Sequence, residues 1–241
     1  MGTRRFVVVS GGGSGIGRAI ARAFADRGDH VTVLGRRPEP IAAVAKEIGG
    51  AALALDLTDP HAVERARAEL PEHVDVLVNN AGQRMPLPTE PGLAAIADHW
   101  RRMYDHIVLP AVLLTEAPLP RLARPGGRIV SIGSTAGLRG NNAYGAAKAA
   151  IHTWNHTLAT RVGPDGITAN VVIPGYIADT EFAFDMVQDA AEHARRAETT
   201  LVKRVGRPED VAAAVVFVAS PEAGYICGEF VNVSGGHVLG R

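Results

Sequence analysis

A doubly wound α/β fold, one parallel sheet of about seven strands with helices on both faces, is what the sequence predicts. Three observations carry that prediction. Short apolar runs alternate with helix-periodic segments along nearly all of the 241 residues, with connections too short to leave one layered unit. The first run, Arg5 to Ser10, breaks off in Gly11-Gly12-Gly13-Ser14-Gly15-Ile16-Gly17, and a helical pattern follows at once. Hydrophobic residues make up 46% of the chain, enough for the two-sided core that a buried parallel sheet requires. A single domain spanning residues 1–241 is expected.

Composition excludes several classes of function. Basic and acidic residues balance at 25 each, which argues against a nucleic-acid surface or a polybasic membrane anchor. The single cysteine, Cys227, has no partner for an internal disulfide and suits a reducing compartment; near a turn, it is expected to pack as a small apolar group. Arg5 to Ser10 is too short for a signal-peptide core or a membrane span, and Phe6 stands where a myristoylation signal needs Ser or Thr. The expectation is a cytoplasmic protein.

Taken in order, Arg5 to Ser10 reads as a buried strand. Arg18 to Arg27 reads as a helix, since Ala19, Ile20, Ala23 and Phe24 recur at helical spacing. Between them the glycines allow the backbone to approach a pyrophosphate, and the free N–H groups and dipole of the helix start favour an anion; Gly11, Ser14, Gly15, Ile16 and Gly17 are therefore placed at a dinucleotide. The second strand, His30 to Leu34, ends in Gly35-Arg36-Arg37. At that position a carboxylate would bond a ribose 2′-hydroxyl, whereas arginines suit a 2′-phosphate, so Arg36 and Arg37 point to NADP(H) rather than NAD(H). A solvated Gly-Arg-Arg turn is the plainer alternative.

A helix from Pro40 to Ile48 leads to a strand from Ala51 to Leu55. Asp56 closes that strand beside Leu57 and could bond an adenine amino group. Thr58 or Asp59 caps the next helix with Pro60 at its first position, and that helix is expected to run from His61 to Leu70. The strand Val74 to Val78 then delivers Asn79-Asn80-Ala81-Gly82, small residues and amides suited to the floor of a cofactor crevice. A helix over Ala94 to Thr115, a strand over Ile167 to Ile173, a helix over Glu209 to Ala219 begun by Pro208, and a last strand over Glu229 to Val233 complete the sheet and its cover. Residues 181–202 read either as a lid, with Phe182, Phe184, Met186 and Val187 as its apolar side, or as a surface helix with one packed face.

The chemistry is expected between Gly127 and Ala150. An apolar strand (Ile129, Val130, Ile132) runs to Ser134, and after a Gly/Asn loop a helix carries Tyr144 and Lys148 one turn apart, on one face. An ammonium beside a phenol stabilises the phenolate and lowers its pKa from the usual value of about 10. A serine hydroxyl at the strand end could hold a carbonyl oxygen against that phenol. Farther along the same helix His152 and His156 lie at zinc-compatible spacing, but no third ligand accompanies them, and Trp154 and Leu158 mark a packed helix; no metal is expected.

Together, Ser10 to Gly17, Asn79 to Gly82, Ser134 with Tyr144 and Lys148, Pro174-Gly175, and Arg204 to Val211 resemble, in order and over nearly the whole chain, the short-chain dehydrogenase/reductase family, and within it the 3-oxoacyl-(acyl-carrier-protein) reductases. The resemblance implies a Rossmann-type sheet and NADPH-dependent reduction of a ketone to a secondary alcohol. In it Tyr144 is the general acid, Ser134 holds the carbonyl oxygen, and Lys148 bonds the nicotinamide ribose. It also places Asn80, Ala81, Gly82, Pro174, Gly175, Ile177 and Thr180 at the cofactor. The implied partners are a small carbonyl compound, possibly thioester-carried, and further copies of the chain in a homodimer or homotetramer.

The chain departs from the family pattern in three places. The family's asparagine seven residues after the tryptophan is here Ile107, counted from Trp100, which cannot bind the water of a proton relay; His106, adjacent but about 100° around the helix, is either its substitute or a surface or pocket-rim histidine. Ser134 and Tyr144 are ten residues apart, closer than is common in the family, so the loop from Leu138 to Ala143 is trimmed and the pocket wall altered. Ser234 replaces a usual aspartate. The missing asparagine leaves open a cofactor-binding regulatory protein without turnover, and among enzymes a ketoreductase for a sugar, steroid or polyketide. Arg101, Arg102, Arg121, Arg124 and Arg128 are either a rim for an acidic carrier protein or scattered solvated side chains.

Overall fold

The computed structural model describes residues 4–178, 180 and 189–239. Its strands are β1 (Phe6–Ser10), β2 (His30–Gly35), β3 (Ala51–Ala54), β4 (Val76–Asn79), β5 (Arg128–Ile132), β6 (Thr168–Pro174) and β7 (Phe230–Val233). All pair in parallel, in the order β3-β2-β1-β4-β5-β6-β7. The chain therefore starts mid-sheet, winds outward to β3, and resumes at β4 on the other side of β1. At that reversal the connections leave in opposite directions, and a crevice opens beyond the carboxyl ends of the strands.

Among the described residues the helices are α1 (Gly15–Ala25), α2 (Pro38–Ile48), α3 (Pro60–Ala66), α4 (Leu93–Glu116), α5 (Ala136–Arg139), α6 (Asn142–Val162), α7 (Ala190–Glu198) and α8 (Pro208–Val218). None is long and apolar enough to cross a membrane. Alternation along β1 sorts them into two layers. Val7 and Val9 face one core with Ile20, Phe24 and Val215 from α1 and α8, while Val8 faces the other with Leu114 and Leu158 from α4 and α6. All three valines are fully buried, each stabilising the sheet by about 1.5–3 kcal/mol.

Local signals held where local chemistry decides. Asp59 caps α3, its carboxylate accepting the His61 N–H, with Pro60 in the first turn. The helix stops at Ala66 instead of Leu70: Pro71 has no N–H to offer the Arg67 carbonyl, and Arg121 donates to the Arg67 and Leu70 carbonyls in place of helical partners. Cys227 corrects another expectation. It is exposed on the turn before β7, so it packs into no core.

Candidate active site

Each wall of the crevice follows from a strand end. β1 releases the chain into Gly11, from which it turns into α1. A β-carbon on Gly17 would lie 2.1 Å from the Gly11 carbonyl, so that position admits only glycine, and Gly15 takes a φ of +50°, where a side chain would be strained. It is fastened from the neighbouring strand: Asn80 Nδ2 donates to the Ser10 and Gly11 carbonyls at 3.0 and 3.2 Å, and the Asn80 and Ala81 N–H groups both donate to Ser10 Oγ at 3.0 Å. Asn80, expected at the cofactor, thus positions the glycine turn while lining the crevice.

A cavity of about 920 Å³ extends along this crevice. Gly11, Ser14, Gly15, Ile16 and Gly17 border one stretch, and Arg36, Arg37, Asp56 and Leu57 the far end. Ala81, Gly82, Ser134, Tyr144, Lys148, Pro174, Gly175, Ile177 and Thr180 border the rest. Every residue expected at the cofactor or the reaction thus faces one continuous space. The fit to a dinucleotide is physical: the α1 N-terminus opens on this space with no acidic residue in its first turn, and Thr180 lies against Gly15, where a β-carbon would be 3.4 Å from its methyl.

At the far end the Arg36 guanidinium donates to Gln83 Oε1. Burial alone would raise the Asp56 carboxyl, but bonds from the Thr58 N–H and hydroxyl, at 2.9 and 2.8 Å, and the charges of Arg36 and His106 hold it below its ordinary value. The His106 imidazole therefore acts on Asp56, at the far end of the crevice.

Ser134, just beyond the end of β5, accepts the Ala136 N–H at 3.1 Å, and its hydroxyl is hydrogen-bonded to the Tyr144 phenol. Burial pushes that phenol up to about 12, against the opposing pull of Ser134 and of the Arg84 charge. Burial likewise brings the Lys148 ammonium down to about 8. Desolvation dominates at the phenol, Arg84 is the cation whose charge opposes it, and Lys148 Nζ donates to the Ile132 carbonyl at 2.8 Å.

Ile107 is 1% exposed and packs with Met103 and Ala111 of α4 against Ala143, Ala147 and Ile151 of α6. Nothing in its sequence neighbourhood restores a relay side chain, but Pro110 changes the backbone. Lacking an N–H, it leaves the His106 carbonyl, four residues back, without a helical donor, and that carbonyl accepts the Gln83 N–H at 3.3 Å. A β-carbon on Gly82 would lie 3.8 Å from the His106 oxygen and 4.0 Å from Lys148 Nζ, so that carbonyl and the lysine border the same spot. A proline within the helix pattern was the available signal, and the sequence reading passed over it.

Two side features resolve as packing. His152 and His156 both lie against Phe230, with ring centroids at 5.3 and 4.9 Å, and burial brings His152 down to about 4. Of the five arginines considered as a rim, Arg121, Arg124 and Arg128 lie toward the opposite end of β5 from the crevice, on carbonyls and Asp165, and Arg102 pairs with Asp98 on α4. Of the expected lid, residues 181–188 lie outside the described residues. The remainder is α7, capped by Asp189, and a turn tied to the C-terminal segment by the Leu201 N–H on the Gly235 carbonyl at 2.8 Å.

With this geometry in hand, known proteins resemble the chain throughout. A family model described as enoyl-(acyl carrier protein) reductase matches residues 11–237. A short-chain dehydrogenase/reductase structure from Brucella melitensis, titled glucose/ribitol dehydrogenase, superposes with a TM-score of 0.88 at 28% identity, covering 98% of this chain and 97% of that one. The 3-oxoacyl-(acyl-carrier-protein) reductase of Vibrio harveyi is 34% identical over 96% of each chain. The chain belongs to the short-chain dehydrogenase/reductase family. It is an oxidoreductase by that membership, and similarity within the family extends to the NADP-dependent 3-hydroxy acid dehydrogenase of Salmonella typhi, 34% identical over 89% of this chain and 88% of that protein.

Proposed function

We propose that the protein reduces a ketone to a secondary alcohol with NADPH, reversibly. The observation that carries this reading is the Ser134–Tyr144 hydroxyl pair, with Lys148 one turn on, facing the same cavity as the glycine turn. Bound there, NADPH supplies the hydride. Ser134 holds the carbonyl oxygen, and Tyr144 delivers a proton to it as charge develops, contributions of about 10²- to 10⁴-fold from the acid alone. Lys148 bonds the nicotinamide ribose. Arg36 and Arg37 hold the 2′-phosphate, which favours NADP(H) over NAD(H). Solvent protons return to Tyr144 past Lys148 and the His106 carbonyl, the route that avoids Ile107.

The whole chain serves as one dinucleotide-binding domain in the cytoplasm. Copies associate as dimers through α4 and α6, a reading supported by exposed Ile96, Trp100 and Tyr104 along α4, or as tetramers that add α8, where Phe217 is also exposed. Small carbonyl compounds are the substrate class, thioester-carried ones included.

NADPH oxidation measured against 3-oxoacyl thioesters, cyclic ketones and quinones tests the reading: turnover of ketones with a preference for NADPH over NADH is expected. Turnover of 2-enoyl thioesters without that of any ketone would contradict it. The apolar setting of Ile107 favours a second reading, a regulatory protein that binds NADPH without turnover; tight binding with no ketone reduced would select it.

A further inference from the structure

Beyond Tyr144 the crevice opens into a second hollow of about 310 Å³, which shares Thr135, Ala136, Asn141 and Arg196 with the main cavity and adds Arg139 and His237. Its charge is one-sided. Among the described residues no acid lines it, and Asp56, at the adenosine end, is the sole acid lining the main cavity.

Among the described residues Arg139 is held in place without an acidic partner, and Arg196 shares its one carboxylate with a second arginine. Arg139 Nη1 lies 2.6 Å from His237 Nε2, while His237 Nδ1 lies 3.1 Å from the Thr199 carbonyl. A carbonyl only accepts, so Nδ1 carries the hydrogen and Nε2 is a bare acceptor: a neutral ring orients Arg139 and leaves its full charge at the hollow. Arg196 stacks over Tyr176, 5.1 Å from the ring centroid, and donates to Glu192 at 2.6 Å, but Glu192 also serves Arg195. One carboxylate between two guanidiniums leaves a positive excess.

The framework behind these groups is fixed by backbone bonds. The His237 N–H donates to the Ser234 carbonyl at 3.1 Å, and the Val238 N–H to Ser234 Oγ at 3.3 Å. Arg139 closes the short helix α5, and the trimmed connection to α6 begins there. Two of the three departures from the family pattern thus converge on this hollow.

We propose that the natural substrate is an oxo acid, a ketone carrying a carboxylate, and that Arg139 and Arg196 receive that carboxylate while the ketone lies against Ser134 and Tyr144. The inference rests on the reductase reading above and narrows it. The reaction balances as hydride from NADPH to the carbonyl carbon and a proton from Tyr144 to its oxygen, giving a hydroxy acid and NADP⁺, with the proton replaced from solvent.

Matched oxo acids and their methyl esters, assayed by NADPH oxidation with kcat and KM separated, test it. The wild-type protein is expected to prefer the acid by about ten- to a hundredfold in kcat/KM, mostly through KM. In Arg139→Gln and in Arg196→Gln that ratio should fall toward one, and Arg139→Lys, which keeps the charge, should retain part of it. Because the ester is measured in the same variant, a ratio is not confounded by partial loss of fold. Esters reduced as well as acids by the wild-type protein, or a ratio unmoved in both Gln variants, would overturn the carboxylate site alone. No oxidation with any ketone would overturn the reductase reading and this inference with it. A preference for 4′-phosphopantetheine thioesters over their dephospho forms, with none for the acids, would reassign the cations to a carrier phosphate and sink the oxo-acid proposal.

Discussion

At the adenosine end of the cleft, residues 11–17, 35–37 and 55–58 run directly from β1, β2 and β3 into the helices that follow, and the walls are held by short-range bonds such as Thr58 on Asp56 and by Asn80 on the Gly11 carbonyl. At the catalytic end Ser134 and Tyr144 share the crevice and its adjoining hollow with Arg84, Arg139, Arg196 and His237, brought from the segment after β4, α5, α7 and the C-terminal segment. The first end follows from local chain geometry, with Asn80 fastening the glycine turn from the next strand. The second is assembled by tertiary packing, and burial resets its protonation. The two should therefore fail independently, one in cofactor choice and the other in turnover.

The largest effect should come from Tyr144→Phe, which removes the proton donor and leaves the ring. Ketone reduction is expected to fall by about 10²- to 10⁴-fold while NADPH affinity, read by quenching of protein fluorescence, changes little. Retention of full activity would break the separation of the two ends. Next, Arg36→Ala combined with Arg37→Ala should weaken NADPH binding by about ten- to a hundredfold, leaving NADH-driven turnover near its original rate. An equal loss with both nucleotides would mean that these arginines support the fold of the cleft rather than select the phosphate.

Smaller, and specific to the catalytic end, is the pH dependence. In the reducing direction Tyr144 must be protonated, which holds below about 12, and Lys148 must be cationic, which holds below about 8. The kcat/KM for reduction should accordingly be flat below pH 8 and fall by about tenfold per unit above it. A profile flat to pH 10 would show that Lys148 stays charged in the working cleft.

The same contrast explains what could be read from the sequence. The sheet, the glycine turn, the Asp59–Pro60 helix start and the line of Ser134, Tyr144 and Lys148 follow from periodicity, caps and spacing, all of which act within a few residues. The carbonyls past the early end of α3 are taken by Arg121, 54 positions on from Arg67. The direction of the Tyr144 shift needed the burial of its phenol, and Arg139 meets His237 across 98 positions of chain. Cys227 was misplaced for a related reason: a turn before a strand does not reveal which side of it faces solvent. Pro110 is the exception, since its effect on the His106 carbonyl is a four-residue rule.

The central claim is that this cleft passes a hydride to a carbonyl carbon beside Ser134 and Tyr144. Reduction of a ketone substrate with NADPH deuterated at nicotinamide C4 on the transferred face, followed by mass spectrometry and NMR of the product, addresses it directly. One deuterium on the carbinol carbon is the result this account predicts, with loss of that product in Tyr144→Phe. Deuterium on a carbon of a reduced C=C bond, or a cofactor that binds and transfers none, would contradict it.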